Sequence, residues 1–288
     1  MSKEVTIVAE MGASHHQDEK TAREIIEAAK WAGANAVKVQ IFTADQMTLK
    51  SNDNKFIIKE GLWKGFRLWD LYDAAALPIE WISRLKNFAE HLGLKFFASV
   101  YHPDIVKVAE EIGISTYKIS SFEITYLELI ETAAKTKKPI IISTGSAEFN
   151  EIKKAVAAVR KYHKNITLLH CISEYPCLIE KVNLKTMDAL GRVFKTKVGF
   201  SDHTGGMVAA VASVPLGARV IEKHIRIDDI GLDSFAIYPE RFRVMVEAIR
   251  AAEKALGKVT YGGKKQFKRQ EIEGKMLRTA ECLKEEQS

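Results

Sequence analysis

Several apolar runs in this chain end in residues whose side chains do chemistry. VTIVAE closes on Glu10, and AVKVQI carries Lys38 and Gln40 two apart, hence on one face of a strand. TYKIS carries Lys118, with Ser121 and Glu123 just beyond; PIIIST closes on Ser143, Thr144 and then Gly145. ITLLHC carries His170, followed by Ser173 and Tyr175. KVGFS runs through Ser201 into Asp202 and His203, and ARVIEKH ends in Glu222 and His224. Lys38, Lys118, Ser121 and Ser143, with the N–H groups around Gly145, make a cradle for a phosphate or carboxylate. His203 and His224 offer two imidazoles to one divalent metal, with Glu222 either joining them or orienting one of them. So few protein ligands would leave positions open for substrate, which suits Lewis-acid catalysis. Glu10 and Glu123 remain as acid–base groups.

Taken singly, each residue has an ordinary explanation: a strand-end lysine pairs with a surface acid, and Ser-Thr-Gly makes a turn. Taken together they do not, because unpartnered buried lysines and glutamates are costly and a shared polar site removes that cost. Such a site requires elements that bring all the strand ends to one place. Short β-rich runs at 5–10, 36–41, 95–100, 116–120, 139–144, 166–171, 197–201 and 218–224 alternate with helical patterns at 19–32, 78–92, 103–112, 126–136, 148–162, 183–190, 206–216 and 239–256. Asp18 and Gly33 cap and stop the first helix, and Pro103 opens another. Eight strand–helix units in about 255 residues predict an α/β fold, a single (β/α)8 TIM barrel over 1–257. Residues 258–288 read as a short C-terminal helical tail or linker stub. The longest connection, 42–77, is of a length that usually serves function.

The 288 residues are 47% apolar and 28% charged, which excludes disordered and fibrous classes. The net charge of +6 is spread along the chain, without an aromatic-interleaved basic strand, so nucleic acid is not an expected partner and an anionic substrate is. No apolar run of about 18 residues predicts a membrane span, and MSKEVTIVAE does not read as a signal peptide. Cys171, Cys177 and Cys282 are too few and too scattered for a disulfide framework or a zinc knuckle. A cytoplasmic protein is expected.

At these residues the sequence resembles the sialic acid synthase family, the phosphoenolpyruvate-dependent synthases of nine-carbon sugar acids. The segments are AEMGASHH (9–16), VKVQIFTADQMTL (37–49), YKISSFEI (117–124), IIISTGS (140–146), LLHCISEYP (168–176), VGFSDHTGG (198–206) and VIEKHI (220–225), in family order. The resemblance implies phosphoenolpyruvate contacts from Lys38, Lys118, Ser121, Ser143 and Ser201, and His203 and His224 as ligands of manganese or magnesium. It implies Gln40, Tyr175 and Asp233 on an N-acylated amino sugar, with Glu10 and Glu123 as catalytic carboxylates. Ser121-Phe122-Glu123, Ser173, WKGFRLWDLYDAAALP (63–78) and DSFAIYPERF (233–242) resemble the pseudaminic acid branch more than the N-acetylneuraminate one.

The sequence departs from the family pattern in places. Ser14-His15-His16-Gln17 replaces an Asn-His-Asn-Gly, and the stretch between His224 and Asp233 is about two residues short. FASVYHP (97–103) puts Val100 where a phosphate-binding hydroxyl is expected, with His15, His16 and His102 as compensating candidates. The resemblance also implies a homodimer and an antifreeze-like C-terminal domain that lends an arginine to the partner's sugar site. For this chain that domain either follows a truncation, comes from a separate protein, or is dispensed with. The alternatives to this activity are a related 3-deoxy sugar acid synthase using another aldose, a metal isomerase acting on sugar alone, and a non-catalytic barrel subunit awaiting the missing domain.

Overall fold

The computed structural model describes residues 4–259 and 261. The chain divides into two compact units, 1–254 and 255–288. The expected tail over 258–288 falls almost wholly outside the described residues, as does Cys282.

In chain order the first unit runs β1 (Thr6–Glu10), α1 (Glu19–Trp31), β2 (Ala36–Ile41), α2 (Ala44–Met47), α3 (Leu68–Ala75), α4 (Ile79–His91), β3 (Lys95–Val100) and α5 (Pro103–Ile112). It continues with β4 (Tyr117–Ile119), α6 (Leu127–Lys135), β5 (Ile140–Ser143), α7 (Phe149–Arg160), β6 (Ile166–His170) and α8 (Lys185–Phe194). β7 (Lys197–Asp202), α9 (Val208–Ser213), β8 (Val220–His224) and α10 (Pro239–Leu256, up to Lys254 in this unit) follow. The strands pair in parallel and in order, and β1 pairs with β8, so the sheet closes into a (β/α)8 barrel. Each expected strand and helix is present, with ends moved by a few residues. β4 shrinks to three residues, and α8 runs on to Phe194.

The strand period of two sorts the residues. Outward positions such as Ile7, Val37, Phe96, Ile119, Ile142, Leu168, Phe200 and Ile221 are buried against the helix layer, where Ile25, Ile26, Leu85, Leu129, Val159 and Phe242 meet them. Inward positions split into two levels. Val8, Ala36, Phe97, Ile141 and Leu169 form a separate apolar cluster inside the barrel. One strand step further toward the C-terminal ends, the inward residues become Glu10, Lys38, Ser99, Ser143, Cys171 and Glu222. The apolar layer thus forms a dry floor and the polar layer a charged surface above it, at the end where barrel enzymes keep their chemistry.

Asp18 caps α1 by accepting from Thr21 N at 2.8 Å. Pro103 occupies the first turn of α5, where the Nδ1 of His102 accepts from Asp104 N. The long 42–77 connection is ordered by α2, a 3-10 turn at Asn54–Phe56 and α3. Among the described residues, no helix is long and apolar enough to cross a membrane.

Candidate active site

A cavity of about 360 Å³ opens at the C-terminal mouth of the barrel, and the twelve residues to which the resemblance assigns site roles line it: Glu10, Lys38, Gln40, Lys118, Ser121, Glu123, Ser143, Tyr175, Ser201, His203, His224 and Asp233. Its inner surface is a charge network. Lys38, 3% exposed, lies 2.7 Å from Glu10 and 3.8 Å from Glu222, and donates to Ser99 Oγ at 2.8 Å. Lys118, also 3% exposed, lies 3.7 Å from Glu222. Ser201 donates to Glu222 at 3.0 Å, and Gln40 Nε2 donates to Glu10 at 2.7 Å. Burial opposes the charge on Lys38, but Glu10 and Glu222 outweigh it and hold its pKa above the ordinary value. On Lys118 burial prevails and lowers the pKa. Burial alone would raise the Glu222 carboxyl; Lys118 and Lys38 hold it down, at about 2.

Glu222 lies 3.8 Å from Lys38 and 3.7 Å from Lys118 and accepts from Ser201, while its Oε2 is buried without a hydrogen-bond partner. One expectation is corrected here. Val100 points outward into the helix-facing core, and the inward hydroxyl on this strand is that of Ser99, one residue earlier, on Lys38. Three other strand-end or loop histidines do not line the cavity. His170 bonds Val182 O at 2.6 Å, His16 pairs with Asp228 at 3.0 Å, and His102 caps α5. His15, within the β1–α1 loop, also lies outside the cavity lining and is buried, which pushes its pKa down to about 4.

Beside Lys118 the backbone N–H of Gly145 donates to Ser121 Oγ at 3.1 Å, and Cys171 Sγ lies 3.1 Å from the same oxygen. A Cβ on Gly145 would stand 2.5 Å from Cys171 Sγ and 2.7 Å from Ser173 Oγ. The missing side chain is what lets this donor reach the cradle. Sequence reasoning passed over Cys171 because a cysteine on a strand reads as core.

His203 and His224 face each other across β7 and β8 with ring centroids 5.8 Å apart. Burial pushes His203 down to about 3, so its imidazole is neutral. Its Nδ1 donates to Ile172 O at 2.7 Å, which leaves Nε2 with a lone pair beside Ser201 Oγ. His224 Nδ1 is buried without a hydrogen-bond partner, 3.8 Å from Asp233. Among the described residues no three His, Cys, Asp or Glu side chains converge into a closed metal cage. The neutral imidazole of His203 and the His224 ring, with its orphaned buried nitrogen, fit an open seat whose other positions go to substrate and water.

The roof is aromatic. Tyr175 lies tilted against His203 at 4.3 Å and meets Phe235 at 4.7 Å. Trp63, from the long connection, packs near both and donates to Leu232 O at 3.0 Å. Asp233 accepts from Ala13 N at 2.7 Å. Gly12 allows that contact: it sits at φ +54°, and a Cβ there would stand 2.0 Å from the Asp233 carboxylate.

Glu123 stands apart from the lysines' network. Its Oε2 is buried without a partner, and burial raises its pKa to about 7. Nearby Tyr101, with its own pKa raised well above ordinary by burial, donates to Gln40 Oε1 at 3.0 Å and so fixes that amide.

A barrel whose mouth joins an anion cradle, a pair of buried imidazoles and a carboxyl poised near neutrality is an enzyme, and the comparisons give its kind. Residues 25–261 match the NeuB family, and the chain belongs to that family of synthases. It is 41% identical over 255 residues to the pseudaminic acid synthase of Helicobacter pylori, covering 87% of this chain and 75% of that protein. It is 36% identical over 259 residues to the N,N'-diacetyllegionaminic acid synthase of Legionella pneumophila, covering 87% and 73% respectively. The crystal structure of N-acetylneuraminic acid synthetase from Leptospira borgpetersenii, in complex with citrate, superposes with a TM-score of 0.82. It is 28% identical and covers 96% of this chain and 92% of that one.

Proposed function

We propose that this barrel condenses phosphoenolpyruvate with the open-chain aldehyde of an N-acylated amino sugar, giving a nine-carbon 2-keto sugar acid of the pseudaminic type and phosphate. The observation that carries the reading is the pair of buried lysines on one cavity wall, each matched to a carboxylate and flanked by hydroxyls. Such a surface suits a small, multiply charged anion with a carboxylate at one end and a phosphoryl group at the other. The likeness to synthases of pseudaminic and legionaminic acids supports the same class of product.

In this reading Lys38 and Lys118 offset the anionic charge, while Ser121, Ser143, Ser201 and the Gly145 N–H orient the phosphoryl group. Gln40, Tyr175 and Asp233 hold the sugar with its aldehyde carbon above the phosphoenolpyruvate C3. The apolar roof of Trp63, Leu232 and Phe235 favours an acceptor with few free hydroxyls at that end, because a buried hydroxyl without a partner is penalised. The C3–C1 bond forms as the double-bond electrons attack the aldehyde. Glu123, able to hold a proton near neutral pH, supplies it to the developing alkoxide. Glu10, 2.7 Å from Lys38, takes a proton from the water that adds at C2. Phosphate then leaves with its bridging oxygen by C–O cleavage. A manganese or magnesium ion on His203 and His224 would polarise the aldehyde oxygen. In this reading the enzyme is cytoplasmic and works as a homodimer.

Incubation with phosphoenolpyruvate, Mn²⁺ and a panel of N-acylated amino sugars tests the reaction by product mass. The expected product contains acceptor, phosphoenolpyruvate and water less phosphate. Conversion of a phosphorylated aldose instead would indicate a 3-deoxy sugar acid synthase, and rearranged sugar with phosphoenolpyruvate intact would indicate an isomerase.

A further inference from the structure

Asp202 and Lys223 are an ion pair, 1% and 2% exposed, that the chemistry above does not use. They stand opposite each other on β7 and β8. Ser201, His203, Glu222 and His224 face the cavity, so the strand period of two turns Asp202 and Lys223 away from it, toward the helix layer. Burying two charges there is expensive, and an apolar pair would join the strands at lower cost. The pair makes a set of contacts that no apolar pair could make.

Lys223 Nζ lies 2.9 Å from Asp202 Oδ2 and donates to Thr204 O at 2.6 Å and to Asp202 O at 3.4 Å. The ammonium thus donates to two backbone carbonyls of the turn besides its ion pair with Asp202. Asp202 Oδ1 in turn accepts from Thr204 N at 2.9 Å. β7 ends at Asp202, so Thr204 has left the sheet ladder, yet the pair grips both its N–H and its carbonyl. The same turn carries the working groups. His203 O accepts from Cys177 N at 2.8 Å, and Cys177 forms a bridge with Thr204. The segment ending at Cys177 holds Tyr175 against the His203 ring.

We propose that Asp202 and Lys223 are a positioning pair: from the helix side of the sheet they clamp the turn 202–204, and so fix the direction of the His203 ring and the place of Tyr175. The proposal rests on the reading above for the roles of His203 and Tyr175, and it adds two residues that act through them.

The test uses the full chain carrying Asp202→Asn with Lys223→Met, which removes both charges and keeps an acceptor for Thr204 N. Circular dichroism and a thermal melt establish that it folds. Lys223→Gln in the same Asp202→Asn background retains a donor toward Thr204 O and serves if the methionine pair does not fold; its change is expected in the same direction and smaller. Free Mn²⁺ is measured by electron paramagnetic resonance, apart from any turnover. The dissociation constant is expected to rise roughly ten- to a hundredfold, as for removal of partners that orient metal ligands. The acceptor KM is expected to rise with it, while the phosphoenolpyruvate KM stays within about twofold. A merely structural role would lower the melting temperature and leave these values in place. A folded variant with unaltered Mn²⁺ affinity and acceptor KM overturns the proposal alone. Absence of Mn²⁺ binding by the unaltered chain overturns the metal-site reading, and this proposal with it.

Discussion

Replacing Glu123 with glutamine should stabilise the protein at alkaline pH and leave it unchanged in acid. Its carboxyl titrates at about 7 in the folded chain against an ordinary 4.5, because burial disfavours its charged form. Between those two values the folded state holds a proton that the unfolded state has lost. Stability therefore falls as pH rises from 4.5 to 7, and the loss is complete above 7. Moving a carboxyl over that interval corresponds to about 3 kcal/mol, at 1.36 kcal/mol per tenfold change in proton affinity. Glutamine has the same shape and no charge to desolvate. Urea unfolding of both proteins from pH 4.5 to 8.5 isolates the effect, since the other groups titrate alike in both. The variant should match the parent at pH 4.5 and exceed it by up to about 3 kcal/mol at pH 8.5, while losing turnover. A stability difference that does not vary with pH would refute the argument that Glu123 is held near neutrality by its burial.

Lys38→Met leaves Glu10 and Glu222 with one lysine between them, and should destabilise the fold by about 3–5 kcal/mol in urea unfolding. Adding Glu10→Gln should recover part of the loss in stability but no activity. Gly145→Ala puts a methyl group 2.5 Å from Cys171 Sγ, so the phosphoenolpyruvate KM should rise about tenfold or more while the acceptor KM changes little; steady-state kinetics with each substrate varied would show it. Trp63→Leu removes the aromatic roof contact and the bond to Leu232 O, and should raise the acceptor KM roughly 5- to 30-fold with the phosphoenolpyruvate KM unaffected.

The strand-end residues were legible because two independent periodicities agree on them. The β-rich runs placed Lys38, Lys118, Ser143, Ser201 and His224 near the ends of parallel strands, and a closed barrel brings such ends to one mouth. These five line one cavity, whereas His170 and Asp202, also at strand ends, do not. What was not legible concerns how side chains share one another. Nothing in the spacing of Glu222 and His224 says that Glu222 on β8 would lie beside Lys38 and Lys118, six and four strands earlier in the chain. The Ser99 hydroxyl was missed because the eye followed Val100, one residue off the inward face. α2 and α3 inside the 42–77 connection were missed for a different reason: four and eight residues are too short for a helical period to stand out. Asp202 and Lys223 lie within motifs that had been noticed, but their contact across β7 and β8 depends on register, which only the closed sheet defines.

Phosphate release from phosphoenolpyruvate with Mn²⁺, measured with and without each N-acylated amino sugar, bears most directly on the central claim. The account predicts release that depends on one such sugar and disappears in the Lys118→Met and His203→Ala variants. Release without any sugar, or none with any sugar although phosphoenolpyruvate and Mn²⁺ both bind, would contradict it.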